Sequence, residues 1–215
     1  MATPTDSSTP PRWQRRPDAR PEEILRAALA TFVERGYTAT RLEQVAERAG
    51  VSKGTLYLYF NNKEALFQAA VRESITPLIE QAEQRVSSHH GSPLDLLDTL
   101  FRRWIEVLMD PVLGGLGKLV MAEAGNFPDT ARFYVEEVVV RARRVFRQVV
   151  ERAVAAGELR ALPADMIVRE LMTPILFLSL WRHSLAVYDP EPVDPRQFLA
   201  VHWDMVMHGL RPAST

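Results

Sequence analysis

The residues able to do chemistry crowd into one short segment, Gly50-Val51-Ser52-Lys53-Gly54-Thr55-Leu56-Tyr57-Leu58-Tyr59-Phe60-Asn61-Asn62-Lys63. It combines two ammonium groups, four side-chain hydroxyls and a glycine that lets a backbone be approached closely. Such a set can hold phosphate oxygens and read polar base edges. Elsewhere the means of catalysis are thin. The chain has no cysteine, so it carries no thiolate nucleophile and no thiolate metal ligand. His89-His90 sits in an expected loop beside Gly91, and His183, His202 and His208 are dispersed. No H-E-x-x-H occurs, and Gly114-Gly115-Leu116-Gly117 follows no predicted strand, so it does not read as a phosphate loop. An enzyme is not expected, and neither is a cofactor or a metal.

The surrounding pattern explains how that segment would be held. Pro21 to Arg35 has apolar residues at helical spacing (Ile24, Ala27, Ala28, Leu29, Phe32), with Gly36 as the stop. Thr40-Arg41-Leu42-Glu43 reads as a Thr-x-x-Glu capping box that opens a short helix to Ala49. Gly50 supplies a turn expected at positive φ, and Ser52 caps a second short helix, Lys53 to Tyr59. Two short helices joined by such a turn form a helix-turn-helix. Val45, Ala46, Ala49, Val51 and Leu56, with Phe32 and Phe60, would be its core. Phe60 then points inward, while Tyr57 and Tyr59 face outward with Lys53, Gly54 and Thr55. Gly54 costs up to about 1 kcal/mol in helix propensity, a cost that fits a position needing close backbone approach.

The rest also reads as helix. Asn61 or Asn62 caps a long helix toward Arg85, bent at Pro77. Further helices are expected from Pro93 to Met109, Leu116 to Ala124, Pro128 to Ala156, Pro163 to Tyr188 with an interruption at Pro174, and Asp194 to Gly209. Val138-Val139-Val140 suits a strand by composition, but its neighbours repeat at helical spacing. The fold class is therefore all-α. Residues 1–16, rich in Pro, Ser and Thr, read as a disordered tail, residues 17–62 as a helix-turn-helix DNA-binding head, and residues 63–215 as a larger body of another role. Residues 1–63 hold ten Lys and Arg against seven Asp and Glu, whereas the remainder has an acidic excess, although the net charge is only −1. A mildly basic head on an acidic body suits a nucleic-acid partner for the head. No apolar run reaches the roughly 20 residues that span a bilayer, and no apolar signal-type stretch opens the sequence, so a cytoplasmic protein without a membrane partner is expected.

Residues 24–67, ILRAALATFVERGYTATRLEQVAERAGVSKGTLYLYFNNKEALF, resemble the DNA-binding domain of the TetR family of transcriptional regulators. The resemblance implies a homodimeric repressor that binds a double-stranded, inverted-repeat operator and is released by a small effector. An activator or a ligand-independent regulator is the alternative. Carried over by position, Lys53, Gly54, Thr55 and Tyr57 lie near base edges, and Ser52, Tyr59 and Lys63 contact phosphate. Thr40 takes the helix-start position that touches phosphate. Arg41 departs from the family's small hydroxyl residue and has two readings, a phosphate contact or a solvent-facing side chain. Glu43 could accept from cytosine, or serve only the capping box. Arg12, Arg15, Arg16 and Arg20 form either a minor-groove arm or a solvated tail. Residues 121–134, MAEAGNFPDTARFY, are also similar to the AefR-like branch of the family.

The body must supply dimerisation and sensing. Leu171 to Trp181 carries no charge over three turns, and the last helix has two apolar stripes, Phe198/Val201/Met205 and Leu199/Trp203/Val206/Leu210. Helices apolar on two sides suit an intermolecular four-helix bundle. Leu171, Ile175, Leu178, Phe198, Val201 and Met205 are the expected dimer contacts. Trp104, Met121, Phe127, Phe133, Tyr134, Met172, Phe177 and Trp181 are the candidates for effector contact, which suggests a hydrophobic or aromatic effector.

Overall fold

The computed structural model describes residues 21–212, so the tail and its four arginines lie outside the described residues. Among those residues every regular element is helical: α1 (Pro21–Arg35), α2 (Leu42–Arg48), α3 (Lys53–Tyr59), α4 (Lys63–Ser88), α5 (Pro93–Met109), α6 (Leu113–Glu123), α7 (Pro128–Tyr134), a π turn (Val135–Val140), α8 (Arg141–Ala155), α9 (Ala164–Arg182), a 3-10 turn (Ala186–Tyr188) and α10 (Pro195–Leu210). The Val138-Val139-Val140 run is helical, not extended. None of the described helices is long and apolar enough to cross a membrane.

The head is α1 to α3 with the first turns of α4. Gly36 and Gly50 end α1 and α2 at φ 85° and 71°, values that L side chains rarely adopt. Phe32, Val45 and Leu56 are fully buried, and Phe60 closes the core from the end of α3. Phe67, one turn into α4, meets Phe32 and Tyr37 at ring-centroid distances of 5.5 Å each. Such aromatic pairs are worth about 0.5–1.5 kcal/mol each beyond burial, so α4 begins as part of the head. Its 26 residues span about 39 Å, most of it along the body.

Three expectations about the body differ from what is found. Pro174 does not interrupt α9, which continues past it as α4 continues past Pro77. Ile75 and Ile79 flank one proline, Leu171 and Ile175 the other, and all four are buried. Their burial offsets the roughly 3 kcal/mol that an internal proline costs. The helix expected from Pro128 to Ala156 is interrupted by the π turn. Finally, α6 starts at Leu113, three residues before the expected Leu116. Asp110 explains that start, because its carboxylate accepts from the amides of Val112 and Leu113, both at 2.8 Å.

The glycines of α6 also have a packing reason. A Cβ on Gly114 would lie 2.1 Å from the Leu108 carbonyl oxygen, and one on Gly115 would lie 2.4 Å from Val33 Cγ1 of α1. The absence of side chains thus lets α6 lie against the end of α5 and against the head.

Candidate nucleic-acid interface and effector cavity

One face of α3 is set out for contact with something outside the protomer. Ser52 accepts from the Thr55 amide at 3.0 Å and caps the helix. Leu56 is buried, while Ser52, Lys53, Gly54, Tyr57, Leu58 and Tyr59 are exposed. A Cβ on Gly54 would meet only Ser52 Oγ, at 3.7 Å, so nothing inside the protein requires glycine there. Lys53 pairs with the Glu43 carboxylate of α2 and lies 5.5 Å from the centre of the Tyr57 ring. This pairing holds the Glu43 carboxyl below the usual range.

Three residues at the edge of this face are placed otherwise than expected. Thr40 is buried, and its hydroxyl donates to the Gly36 carbonyl at 2.7 Å, so its side chain closes the end of α1 rather than reaching phosphate. The Thr40–Glu43 capping box is absent. Arg41 is the N-cap of α2, and its amide donates to Gln44 Oε1 at 3.0 Å. Glu43 is thereby free for Lys53, and the Arg41 side chain remains exposed. The Lys63 ammonium is half-buried and donates to the carbonyls of Tyr37, Thr38 and Thr40 at 2.7, 3.2 and 3.3 Å. Burial pushes its pKa down. A cation in the first turn of α4 is explained by these carbonyls without any phosphate. Sequence reasoning missed Leu58, which is 85% exposed on α3. The signal was present: Leu58 follows the inward Leu56 by two positions, which on a helix turns it to the opposite side.

The body holds a cavity of about 250 Å³ between α5, α6, the π turn and α9. Trp104, Met121, Tyr134 and Met172, four of the eight candidates, line it with Val138 and Leu176. The other four are elsewhere. Phe127 packs edge-on against Tyr37 at 4.6 Å, where body meets head. Phe133 lies under the Arg72 guanidinium, 4.8 Å away. Phe177 is 60% exposed on the outside of α9. Trp181 stands 6.1 Å from it and donates through its indole to Asp189. The successive face of a long helix, which separates cavity from surface here, is set by packing that composition does not reveal. A smaller cavity of about 130 Å³ lies between α4, α5 and α8, with Trp104 as a shared wall.

A hydrogen-bonded contact adds to the packing between head and body at the turn before α2. Glu123, the last residue of α6, accepts from the Thr38 amide at 3.0 Å and from the Thr38 hydroxyl at 2.9 Å. The amide bond is the main reason its carboxyl sits below the usual range. Val120 and Met121 on the same helix wall the cavity.

The six residues expected at the dimer surface divide into an exposed half and a buried half. Phe198, Val201 and Met205 of α10 are 37%, 53% and 68% exposed. Leu171, Ile175 and Leu178 are buried within the protomer, so they serve its own core instead. Phe177, Leu185, Val187 and Tyr188, not expected there, add exposed apolar area on α9 and the connection to α10.

Comparison with known proteins decides the family. Residues 24–70 match the family model described as bacterial regulatory proteins, tetR family, and residues 88–208 match the tetracyclin repressor-like C-terminal domain. The chain belongs to the TetR family. As a TetR-family regulator it is a helix-turn-helix, DNA-binding protein of transcription regulation. It is similar to the HTH-type transcriptional regulator RutR of Escherichia coli, 28% identical over 88% of this chain and 73% of RutR. It is also similar to the HTH-type transcriptional repressor KstR2 of Mycolicibacterium smegmatis, 27% identical over 86% and 89% of the two chains. Its fold matches SmeT of Stenotrophomonas maltophilia in complex with triclosan, with TM-score 0.73, 24% identity and 90% and 92% coverage. FadR of Bacillus subtilis in complex with stearoyl-CoA shares the fold at TM-score 0.67, with 18% identity and 88% and 99% coverage.

Proposed function

We propose that this TetR-family protein is a cytoplasmic homodimeric repressor that reads an inverted-repeat operator through α3 and releases it when an apolar small molecule fills the cavity beside α6. The observation that carries the DNA reading is Gly54, exposed at the start of α3, where the protein's own packing would accept a larger residue. A groove-fitted helix needs a small residue there. Around it Lys53, Thr55 and Tyr57 meet base edges, Ser52, Tyr59 and Arg41 meet phosphate, and Leu58 meets a thymine methyl group. Lys53 exchanges Glu43 for the nucleic acid, so Glu43 competes with DNA for one cation. Thr40 and Lys63 hold the turn before α2 instead of touching DNA.

The second copy of the chain covers the exposed stripe of Phe198, Val201 and Met205, which gives the two-fold symmetry that an inverted repeat mirrors. Release runs through α6. One helix carries Met121 on the cavity wall and Glu123 on the Thr38 turn, so an occupant that displaces α6 tilts the head. The ligand acts only by its differential affinity for the two head positions. The KstR2 relative, similar over most of both chains, is a repressor by its name. Mobility-shift titration against an operator selected from random DNA tests the DNA reading. Tyr57→Ala is expected to weaken specific binding by about 1–3 kcal/mol per half-site. Unchanged binding would remove α3 as the reader.

A further inference from the structure

The walls of the 250 Å³ cavity are mostly apolar, yet two arginines stand on them, Arg143 from the start of α8 and Arg169 from α9. Both are exposed. Of the neighbouring guanidiniums on α8, Arg141 pairs with Glu83 at 3.0 Å and Arg147 lies 3.5 Å from Glu151, whereas Arg144 is exposed and does not line the cavity. Arg143 and Arg169 have none within 4.0 Å among the described residues, although the body carries the acidic excess of the chain. Both guanidiniums line the same cavity, where an anion would meet two positive charges.

A phenol, that of Tyr134, also lines the cavity. Tyr134 precedes the π turn, and burial alone pushes its phenol up to about 12. It therefore stays protonated and can donate. Nine residues separate Tyr134 from Arg143, on the order of 13 Å along a helix. The π turn between them sets Val135, Val138 and Val139 on the wall. Such turns are rare and are frequent at functional sites.

We propose that the cavity takes an amphipathic anion, whose carboxylate or phosphate is held by Arg143 and Arg169 at the rim and whose apolar body lies along the valines toward Tyr134. This rests on the effector reading above and narrows it from any apolar molecule to a charged one. Guanidinium groups bind both oxyanions through paired, charge-assisted hydrogen bonds. Thr173 adds a hydroxyl on the same wall as Arg169, one helical turn along α9.

Calorimetry on the full chain with decanoate, decyl phosphate and decan-1-ol, each below its micellar concentration, tests the proposal. At least one anion is expected to bind about tenfold or more tightly than the alcohol, a difference of about 1.4 kcal/mol. The stronger anion tells carboxylate from phosphate. The double variant Arg143→Gln/Arg169→Gln should lose that advantage and bind the alcohol as the wild type does. Both side chains are exposed, and unchanged thermal unfolding checks that the variant folds. The proposal is overturned if the alcohol binds as well as both anions, if none of the three binds, or if the double variant keeps the preference. Operator binding without any probe is measured alongside. Its loss would sink the DNA-binding reading alone, whereas intact operator binding without anion preference would sink the ligand class alone.

Discussion

Gly54→Ala should move stability and DNA binding in opposite directions. Within the protein the new methyl group meets only Ser52 Oγ, at an ordinary contact distance of 3.7 Å, and the position is exposed. Replacing glycine by alanine in a helix stabilises by up to about 1 kcal/mol. Gly54 sits in the first turn of α3, where less of that is realised. For a chain of this size the unfolding midpoint should rise by up to about 2–4 °C. On DNA the same methyl group stands where the backbone must come close, and the helix has to back out of the groove. The loss should match that of a base contact, about 1–3 kcal/mol, in each of two half-sites. Differential scanning calorimetry and operator titration on one preparation give both signs. A raised midpoint with unchanged operator affinity would show that Gly54 does not face DNA. A lowered midpoint would show that the glycine serves the fold.

Four other outcomes follow from the same structure. If Leu58 rests on a thymine methyl group, replacing the contacted thymine by deoxyuridine should cost about 0.5–1 kcal/mol, and Leu58→Ala should be indifferent to the exchange; equal sensitivity in both proteins would refute the contact. Gly114→Ala, which forces a Cβ to within 2.1 Å of the Leu108 carbonyl, should destabilise by about 1–3 kcal/mol, while Gly125→Ala, with nothing within 4 Å, should not; comparable midpoints would mean that α6 is not held as described. Val201→Glu/Met205→Glu should give monomers in sedimentation velocity, and a stable dimer in that variant would place the interface elsewhere. His183 is held below its ordinary pKa, first by burial and then by Arg182 and Lys118. Its folded form binds a proton less readily than the unfolded chain, so stability should fall as pH drops through about 6.5, and His183→Gln should flatten the fall between about pH 7.5 and 5.5; an unaltered slope would assign the loss to carboxylates.

The head was readable in the sequence because its signals are local. Gly36 and Gly50 need positive φ, Ser52 and Asn62 cap the helices they precede, and Leu56 and Phe60 sit one turn apart on the inner face. Each is decided within a few residues. The Thr40–Glu43 box failed because the competing local signal, Arg41 with Gln44 one position later, gives the same spacing. Lys63 was misread for a different reason. Its three carbonyl partners lie 23 to 26 residues earlier, and only the folded turn gathers them. The body was less readable. Apolar residues on α9 divide between the protomer core (Leu171, Ile175, Leu178), the cavity (Met172, Leu176) and the outside (Phe177), on a helix nearly apolar all round. Periodicity supplies the angle between these faces but not what lies opposite each. The π turn has no sequence mark that separates it from α-helix, and it decides which valines reach the cavity.

Selection of bound fragments from a random DNA pool with the purified full chain tests the central claim most directly. The account predicts a two-fold symmetric motif, with half-site centres about one helical turn of DNA apart or a multiple of it. Tyr57→Ala should recover a degraded motif of the same spacing. Recovery of no enriched sequence, or of a single asymmetric site that the wild type and Tyr57→Ala select equally, would contradict it.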